Sequence, residues 1–207
     1  VMMPRMNGYK LCKTIKEDIN ISHIPVILLT ARDDRQSQIS GYKNGADGYL
    51  SKPFEVEMLM ELIRNRLKNR EYTKKRYLNA GLIPTPEEST ISLTDETFLI
   101  KLNSIIQENI ENSNLGIQFI CQEVGLGRSS LYNKLKALTG MGANEYISKL
   151  RIEKAITLIS GTDMPFSEIA EKTGFTTPSY FSTAFKQYTG ETPSQYKERK
   201  KKGLADK

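Results

Sequence analysis

Two short apolar runs, separated by helical patterns, define the first third of this 207-residue chain. Residues 24–29 are rich in β-branched and aliphatic side chains, as in a strand covered on both faces, and residues 48–50 indicate a second short strand. Helices are predicted before the first strand, around Leu11, over residues 32–44 and again from Phe54. This alternation of helices and strands predicts a parallel sheet of the α/β type.

Beyond Phe54 the pattern is helical. The long helix runs into a charged stretch, and glycine and prolines within residues 79–93 then indicate a linker. Apolar residues spaced by three and four positions predict a core-facing helix over residues 94–112. Five further helices are predicted at residues 117–124, 128–138, 144–160, 167–173 and 178–188.

The helical second half of the chain repeats itself. Residues 120–126 match residues 169–175 at an offset of 49 positions, and selected positions of 131–146 match 181–196 at an offset of 50. Each copy contains an apolar helix, a glycine-centred turn and a second helix with apolar residues four positions apart. That layout predicts two helix-turn-helix units in tandem, which points to DNA as the partner.

Charge is distributed in blocks. The net charge of +6 comprises +6 over residues 1–77, −5 over residues 78–114 and +5 over residues 115–207. The two basic blocks suit a polyanionic partner, although lysine-rich surfaces are also ordinary solvated faces. The two cysteines indicate free thiols in a reducing compartment, and a single histidine argues against a zinc site. The sequence shows neither an apolar run of membrane-spanning length nor a signal-peptide pattern.

Residues 1–72 resemble the second half of a two-component receiver domain. The resemblance is carried by the opening loop at residues 2–8, by Thr30 at a strand end, by Tyr49 and by Lys52–Pro53. It implies that the Thr30 hydroxyl and the Lys52 ammonium contact phosphoryl oxygens, that Tyr49 moves inward with Thr30, and that the Lys52–Pro53 peptide is cis. A cation and a hydroxyl donor aimed at an acyl phosphate stabilise its concentrated negative charge.

The receiver pattern is incomplete in this chain. By the resemblance, the phosphoacceptor aspartate immediately precedes Val1, and the acidic metal-binding pair lies earlier still. We therefore expect a fragment that lacks the first three strands and is not phosphorylated by the receiver mechanism. The resemblance assigns Mg²⁺ to the intact receiver, with the Met2 backbone carbonyl as one ligand. We expect no side chain of this chain to bind a metal and no cofactor in the fragment.

Residues 95–199 resemble the DNA-binding domain of the AraC family. The most specific matches are Ser130-Leu131-Tyr132, residues 134–140, Leu150-Arg151, Ile169-Ala170, Gly174-Phe175, Ser179-Tyr180-Phe181, Phe185-Lys186 and residues 190–196. The family implies that each second helix enters a major groove of double-stranded DNA and that the helix at residues 144–160 sets their spacing. One monomer would then read two half-sites.

The resemblance assigns DNA contacts to the outward positions of the two recognition helices. Base readers are expected at Arg128, Ser129 and Asn133 in the first copy, and at Pro178, Ser179 and Thr183 in the second. Phosphate contacts, which add affinity without sequence information, are expected from Lys134, Lys136 and Lys186. Inward positions are expected at Leu131, Leu135, Phe181 and Phe185.

Two reading positions depart from the family pattern. Many family members carry arginine where this chain has Asn133 and Thr183. Arginine is the usual bidentate reader of guanine, whereas asparagine prefers adenine and threonine contacts hydroxyl partners or a thymine methyl. We therefore expect less dependence on guanine at these positions, with Arg128 as the best remaining guanine reader and the first copy carrying more of the specificity.

Four segments are expected. Residues 1–77 form an α/β partial receiver with an incomplete parallel sheet and an extended last helix, and residues 78–93 form a linker. Residues 94–199 form an all-α domain with two helix-turn-helix units joined by a long helix. Residues 200–207 form a basic tail, which is either disordered in solvent or close to the DNA backbone.

These features favour a sequence-specific transcription regulator that belongs to a bacterial two-component phosphorelay. We expect the protein to be cytoplasmic, and we expect that this chain is not itself an enzyme. RNA polymerase is a further candidate partner. In the intact protein we expect a homodimer through the face at residues 32–70, and we expect no membrane contact from this segment.

Two alternatives stay open. In one, the chain is the C-terminal part of a hybrid histidine kinase whose enzymatic domains lie upstream and whose upstream segments anchor it in the inner membrane. In the other, the helix pairs bind protein. The polar, positively charged outer faces of both recognition helices argue against the second alternative.

Overall fold

The computed structural model describes residues 6–31, 34–80 and 92–205, of which residues 73–80 and 203–205 are described by their backbone alone. The chain divides into two compact units. The first contains residues 1–100 and 129–140, and the second contains residues 101–128 and 141–207. Met2 and residues 81–91 of the predicted linker lie outside the described residues.

A two-stranded parallel sheet lies in the first compact unit. Strand β1, Ile27–Thr30, pairs with strand β2, Gly48–Ser51. Helix α1, Gly8–Glu17, precedes β1, and helix α2, Arg35–Lys43, connects the two strands, because parallel strands need a long crossover. Helix α3, Val56–Ala80, follows β2. The predicted α/β arrangement with an incomplete parallel sheet is confirmed.

Strand β1 begins three residues later than the predicted run at residues 24–29. Pro25 has no N–H to give to a ladder, and the N–H of Val26 donates instead to Oδ2 of Asp47 at 2.7 Å. The predicted cover on both faces is also wrong, since Leu29 is 37% exposed. In the described residues this stretch is therefore a short, partly exposed strand.

Side-chain caps start the first two helices. Oδ1 of Asn7 accepts the N–H of Lys10 at 2.8 Å ahead of α1, and Oδ1 of Asp34 accepts the N–H of Ser37 at 2.8 Å ahead of α2. Each cap satisfies a donor that has no partner inside its helix. A small core of Cys12, Leu28 and Ala46 lies in the same unit.

Helix α3 continues beyond its apolar pattern through the charged run, as predicted. It begins at Val56, two residues after the predicted start at Phe54, and continues to Ala80. Its second half is rich in charged residues, including the run from Lys68. Within the described ranges, neither α3 nor any other helix combines the length and the apolarity needed to cross a membrane.

Helix α4 spans Leu93–Glu108. It begins at Leu93 because Oγ of Ser92, one residue earlier, accepts the N–H of Asp95 at 3.2 Å. It ends four residues before the predicted boundary, since residues 109–112 continue as tighter turns. The predicted apolar stripe is confirmed as core: Phe98, Leu99, Leu102, Ile105, Ile106 and Ile110 are all buried.

The remaining helices match their predicted bounds to within one residue at each end. They are α5 (Ile117–Val124), α6 (Arg128–Thr139), α7 (Ala143–Gly161), α8 (Phe166–Lys172) and α9 (Pro178–Thr189). Residues 129–139 of α6 belong to the first compact unit, and the others belong to the second. The core of the second unit contains Ile152, Ala155, Ile159, Ile169, Ala170, Phe175, Phe181, Phe185 and Tyr196.

Helix α10, Pro193–Ala205, was not among the predicted helices. Its start carries a reciprocal cap: the N–H of Thr192 donates to Oε1 of Gln195 at 2.9 Å, and the N–H of Gln195 donates to Oγ1 of Thr192 at 3.3 Å. This capping box and a proline at the first helical position are start signals present in the sequence. The basic segment from residue 200 is therefore helical as far as Ala205.

Candidate nucleic-acid interface

The first recognition helix, α6, follows a glycine turn. Gly125 has φ +71°, and its N–H bonds to the Cys121 carbonyl at the end of α5. A glycine adopts this left-handed backbone without the steric cost that a Cβ brings. Leu131 and Leu135 are almost fully buried, as predicted. On the outward face the exposed predicted contacts are Arg128, Ser129, Asn133 and Lys136.

The second recognition helix, α9, begins with Pro178, and Oγ1 of Thr177 caps it by accepting the N–H of Tyr180 at 3.2 Å. The hydroxyl of Thr183 donates to the Ser179 carbonyl at 3.1 Å. This bond leaves the oxygen lone pairs and the methyl group of Thr183 for a partner. On this helix the exposed predicted contacts are Pro178, Ser179, Thr183 and Lys186.

A row of aromatic rings supports the inner face of α9. Ring centroids lie 5.4 Å apart for Phe175 and Phe181, 5.7 Å for Phe181 and Phe185, and 5.6 Å for Phe185 and Tyr196. Such tilted and edge-to-face pairs contribute about 0.5–1.5 kcal/mol each beyond the area they bury. The row fixes which face of α9 points outward.

Lys134 is not a phosphate contact in this structure. Its side chain is 0% exposed, and its ammonium forms an ion pair with Oδ1 of Asp95. The same ammonium donates to Oγ of Ser22 at 2.7 Å and lies 5.1 Å from the ring centroid of Phe98. The hydroxyl of Ser22 in turn donates to Oδ1 of Asp95 at 2.7 Å. The predicted role of Lys134 is therefore wrong for this conformation.

The burial of Lys134 follows from helix geometry. It lies three residues after Leu131 and four before Leu138, so all three side chains share the inner face of α6. A buried ammonium needs a charged or hydrogen-bonding partner, which Asp95 supplies. The spacing alone was therefore a signal that Lys134 points inward, whereas its partners Ser22 and Asp95 are too distant in sequence to be inferred.

Two exposed tyrosines on the recognition helices were not predicted as contacts. Tyr132 on α6 is 54% exposed, and Tyr180 on α9 is 55% exposed. A tyrosine offers an apolar ring together with a hydroxyl that can donate to a phosphate oxygen. Both residues are therefore further candidates for the DNA-facing surface, and large exposed aromatics beside the predicted readers were the available signal.

Helix α7 precedes the second helix-turn-helix unit. Its 19 residues span about 28 Å at 1.5 Å per residue. The hydroxyl of Tyr188, near the end of α9, donates to Oε1 of Glu153 on α7 at 3.2 Å, and the Lys149 ammonium lies 3.1 Å from the same oxygen. Burial, followed by the nearby Glu153 carboxylate, raises the pKa of Tyr188 to about 12. Tyr188 is therefore a protonated hydrogen-bond donor at neutral pH.

The receiver-type residues lie at the carboxyl ends of the two strands. Thr30, which ends β1, is opposite Ser51 of β2 and is 2% exposed. The main-chain N–H of Lys52 donates to the Thr30 carbonyl at 2.6 Å, and the Lys52 side chain is exposed. Tyr49 is half-buried in β2, and the Lys52–Pro53 peptide is cis, as the resemblance implied. The phosphoryl contacts that the resemblance assigns to the Thr30 hydroxyl and the Lys52 ammonium stay a prediction.

The magnesium ion implied by the resemblance lacks a ligand set in the described residues. Among them, no three His, Cys, Asp or Glu side chains form a cluster that could hold a metal ion. Met2, the one ligand that the resemblance assigned, lies outside the described residues.

Two domain families match the sequence. Residues 1–64 match the response regulator receiver domain, and residues 120–199 match a helix-turn-helix domain. The first match contains the Thr30 and Lys52 positions described above. The second contains both recognition helices.

Similar proteins include whole regulators and kinases. The chain is 43% identical over 199 residues to Histidine kinase P4 of Formosa agariphila, a match that covers 96% of this chain and 14% of that protein. It is 28% identical over 156 residues to the probable transcriptional regulator ycf29 of Pyropia yezoensis, covering 70% of each chain. The chain thus spans about a seventh of the kinase.

Solved structures of similar sequence cover the helical half. The C-terminal domain of the two-component response regulator yesN from Fusobacterium nucleatum is 32% identical, covers 46% of this chain and 93% of its own, and has a TM-score of 0.44. The C-terminal domain of AraT, a response regulator from Geobacillus stearothermophilus, is 31% identical, covers 49% and 84%, and has a TM-score of 0.47. The chain belongs to the response regulators in which a receiver-domain sequence is followed by an AraC-type helix-turn-helix domain.

Proposed function

We propose that the chain is the output part of a two-component phosphorelay and regulates transcription by binding specific DNA sequences with α6 and α9. The observation that carries this proposal is the division of both recognition helices into a buried apolar face and an exposed polar face. Leu131, Leu135, Phe181 and Phe185 are buried, while every predicted contact except Lys134 is exposed. Exposed polar side chains early in a recognition helix are the groups that reach base edges in a major groove.

Within this proposal the exposed residues have distinct tasks. The Arg128 guanidinium, at the first position of α6, is suited to the O6 and N7 acceptors of guanine. Asn133 is suited to adenine, and the methyl group of Thr183 to a thymine methyl. Lys136 and Lys186 supply phosphate contacts that raise affinity for any sequence. The function requires no catalysis by this chain.

DNA selection followed by binding at several salt concentrations tests the proposal. The full chain is used to enrich duplexes from a random pool, and the affinity for the enriched duplex is measured from about 50 to about 200 mM salt. We expect a specific duplex to be enriched and its affinity to fall steeply with salt, because phosphate contacts release counterions. No enrichment, or an affinity that does not change with salt, contradicts DNA binding and favours a protein-binding module.

A second proposal concerns the parent protein. The 43% identity to Histidine kinase P4 over 96% of this chain supports a hybrid polypeptide in which this segment is the output of a histidine kinase. An immunoblot of source cells with antibodies against residues 94–199 tests it. A band several times heavier than 23.5 kDa is expected, and a single band near 23.5 kDa contradicts the hybrid arrangement.

Dimerisation through the face at residues 32–70 is also proposed. Val56, Met58, Met60 and Leu67 of α3 are large apolar side chains exposed to solvent, with Val56 71% exposed. Burying such side chains against a second copy removes apolar area from water. Sedimentation of the full chain and of a Val56→Glu/Met58→Glu variant tests this: a dimer that the variant loses supports it, and a monomeric full chain contradicts it. We also propose that the regulator contacts RNA polymerase and is located in the cytoplasm.

A further inference from the structure

Arg151 on helix α7 is a buried cation held by main-chain and aromatic groups. It is 9% exposed, and burial lowers its pKa. Its Nη2 donates to the carbonyl of Asn112 at 2.7 Å, and within the described residues its Nε has no hydrogen-bond partner. An arginine stays charged in a protein, so burying it costs free energy that its contacts must offset.

The carbonyl that Arg151 binds belongs to Asn112, four residues after the end of helix α4. After Glu108 the chain leaves α4 through turns in which the N–H of Asn112 bonds to the Asn109 carbonyl at 3.0 Å. The Asn112 carbonyl also accepts the N–H of Leu115 at 3.0 Å. The bond from Arg151 adds a charged donor to the same oxygen and joins α7 to the segment that follows α4.

The turn of the second helix-turn-helix unit, between α8 and α9, packs against the same segment after α4. Gly174 has φ +72°, and a Cβ built on it would lie 2.2 Å from the Ile110 carbonyl oxygen and 2.8 Å from Nη2 of Arg151. The next residue, Phe175, places its ring centroid 5.9 Å from Cζ of Arg151. The Arg151 guanidinium thus contacts both the segment after α4 and the turn between α8 and α9.

These contacts link Arg151 to the recognition helix. The Phe175 ring that lies beside the guanidinium is also the first ring of the aromatic row under α9. A planar guanidinium can bond to a carbonyl along its edge while its face stacks on a ring, which an ammonium cannot do. Removing it would leave the Asn112 carbonyl and the Phe175 ring without this shared partner.

We infer that Arg151 is a positioning residue for DNA recognition, which fixes the turn leading into the second recognition helix against α7 and the segment after α4 without itself reaching the DNA. The inference rests on the DNA-binding function proposed above. It predicts that loss of Arg151 impairs reading by the second helix-turn-helix unit and leaves reading by the first unchanged.

The test compares Arg151→Met and Arg151→Lys in the full chain with Lys154→Met as a matched control. Lys154 lies one turn further along α7 and forms an exposed ion pair with Glu111 at 3.2 Å, so the control also removes a cation between α7 and the segment after α4. The DNA probes are the selected duplex and a duplex that retains only the half-site whose selection depends on Arg128. Amide hydrogen exchange supplies a readout that needs no DNA.

For Arg151→Met we expect affinity for the whole site to fall about tenfold or more. A loosely held second helix-turn-helix unit lowers the effective concentration of α9 at its half-site once the first unit has bound. Affinity for the Arg128-dependent half-site should change less than about twofold. Exchange at residues 173–189 should become about tenfold faster, with residues 128–139 unchanged. Arg151→Lys should give a smaller change in the same direction, and Lys154→Met should match the parent.

Several results overturn the inference. One is that both Arg151 variants bind DNA and exchange amide hydrogens as the parent chain does. Another is that Arg151→Met loses as much affinity for the half-site as for the whole site. A third is that its exchange becomes faster while its affinity for the whole site stays unchanged. If Arg151→Met does not fold, Arg151→Lys decides by the same criteria. If the parent chain binds none of the duplexes, the proposed function fails, and the exchange comparison alone decides whether Arg151 holds the turn.

Discussion

Two lysines of the first recognition helix, only two positions apart, lie in opposite environments. The Lys134 ammonium is buried against Asp95 and Ser22, whereas Lys136 is exposed. On a helix, positions two apart point in directions about 200° apart, so one faces the core and the other the solvent. The contrast separates a lysine that holds the helix in place from one that is available to a phosphate.

The salt dependence of DNA binding distinguishes these two lysines. Lys136→Met and Lys186→Met should each reduce the slope of log affinity against log salt concentration by about 1, because each removes one phosphate contact. Lys134→Met should leave that slope unchanged, although it leaves the Asp95 carboxylate buried without its cation and lowers the free energy of unfolding. Fluorescence anisotropy over a salt series provides the measurement. A reduced slope in Lys134→Met would mean that the buried ammonium reaches DNA after all.

His23, the only histidine, makes stability depend on pH. Burial lowers its pKa from the ordinary 6.5, and the nearby cations Lys134, Arg70 and Lys16 lower it further, while Asp95 opposes them by raising it. Below about pH 6.5, His23 therefore binds a proton more readily in the unfolded chain than in the folded chain. The free energy of unfolding is at its full value above that pH and decreases as the pH falls towards the pKa of His23 in the folded state. We expect the free energy of unfolding to decrease between about pH 7 and pH 5.

Urea unfolding of the parent and of His23→Gln at several pH values checks this expectation. Gln does not titrate, so its curve should be flatter over the same pH range than that of the parent. A parent whose stability does not change over this range, or a variant with the same pH slope, contradicts the role given to His23.

The sequence predicted which side chains of α6 and α9 point outward or inward better than it predicted their tertiary contacts. The exposed faces of α6 and α9 follow from helical spacing. The Ser22–Asp95–Lys134 contact joins residues that are 73 and 112 positions apart, and no local pattern indicates it. Arg151 was notable in the sequence as part of a family match, but its burial against the Asn112 carbonyl is a tertiary feature.

Among the glycines of the helix-turn-helix half that adopt left-handed backbone conformations, Gly125, Gly190 and Gly174 do so for different reasons. Gly125 and Gly190 have φ +71° and +84°, and a Cβ at either position would meet nothing within 4 Å. Gly174 has a similar φ of +72°, but its Cβ would collide with the Ile110 carbonyl oxygen. The first two need glycine for conformation alone, and Gly174 needs it for conformation and space.

Alanine substitutions should separate the two requirements. Gly125→Ala and Gly190→Ala should each cost about 1–2 kcal/mol of unfolding free energy, the penalty of a left-handed alanine. Gly174→Ala should cost about 1–3 kcal/mol more, because backbone atoms must also move to relieve the overlap. Urea denaturation followed by circular dichroism gives the three values. Similar losses for all three variants would contradict the close approach of the turn to Ile110.

Most helices were predictable from the sequence because their apolar spacing is regular. The helices α5 to α9 agree with prediction to within a residue at each end. Errors occur where local hydrogen bonding outweighs apolar spacing. Strand β1 begins after Pro25 and Val26, and the Ser92 cap sets the start of α4. The capping box of Thr192 and Gln195 begins α10, which apolar spacing did not predict. Capping residues are visible in a sequence, so the last two errors were avoidable.

The whole molecule combines a receiver-type sequence with a helix-turn-helix domain. The receiver family match at residues 1–64 and the helix-turn-helix match at residues 120–199 establish the combination. The backbone bond between Lys52 and Thr30 lies within the first match, and the exposed faces of α6 and α9 lie within the second. The central claim is that these two helices read two separate blocks of one DNA site.

In-vitro site selection with the full chain and two matched variants, Asn133→Ala and Thr183→Ala, tests that claim most directly. The two residues occupy equivalent, exposed positions on α6 and α9. The parent should enrich two sequence blocks whose centres lie about 10–10.5 base pairs apart, one helical turn of DNA. Asn133→Ala should relax one block and Thr183→Ala the other. A single enriched block, or the same block relaxed by both variants, would contradict the account.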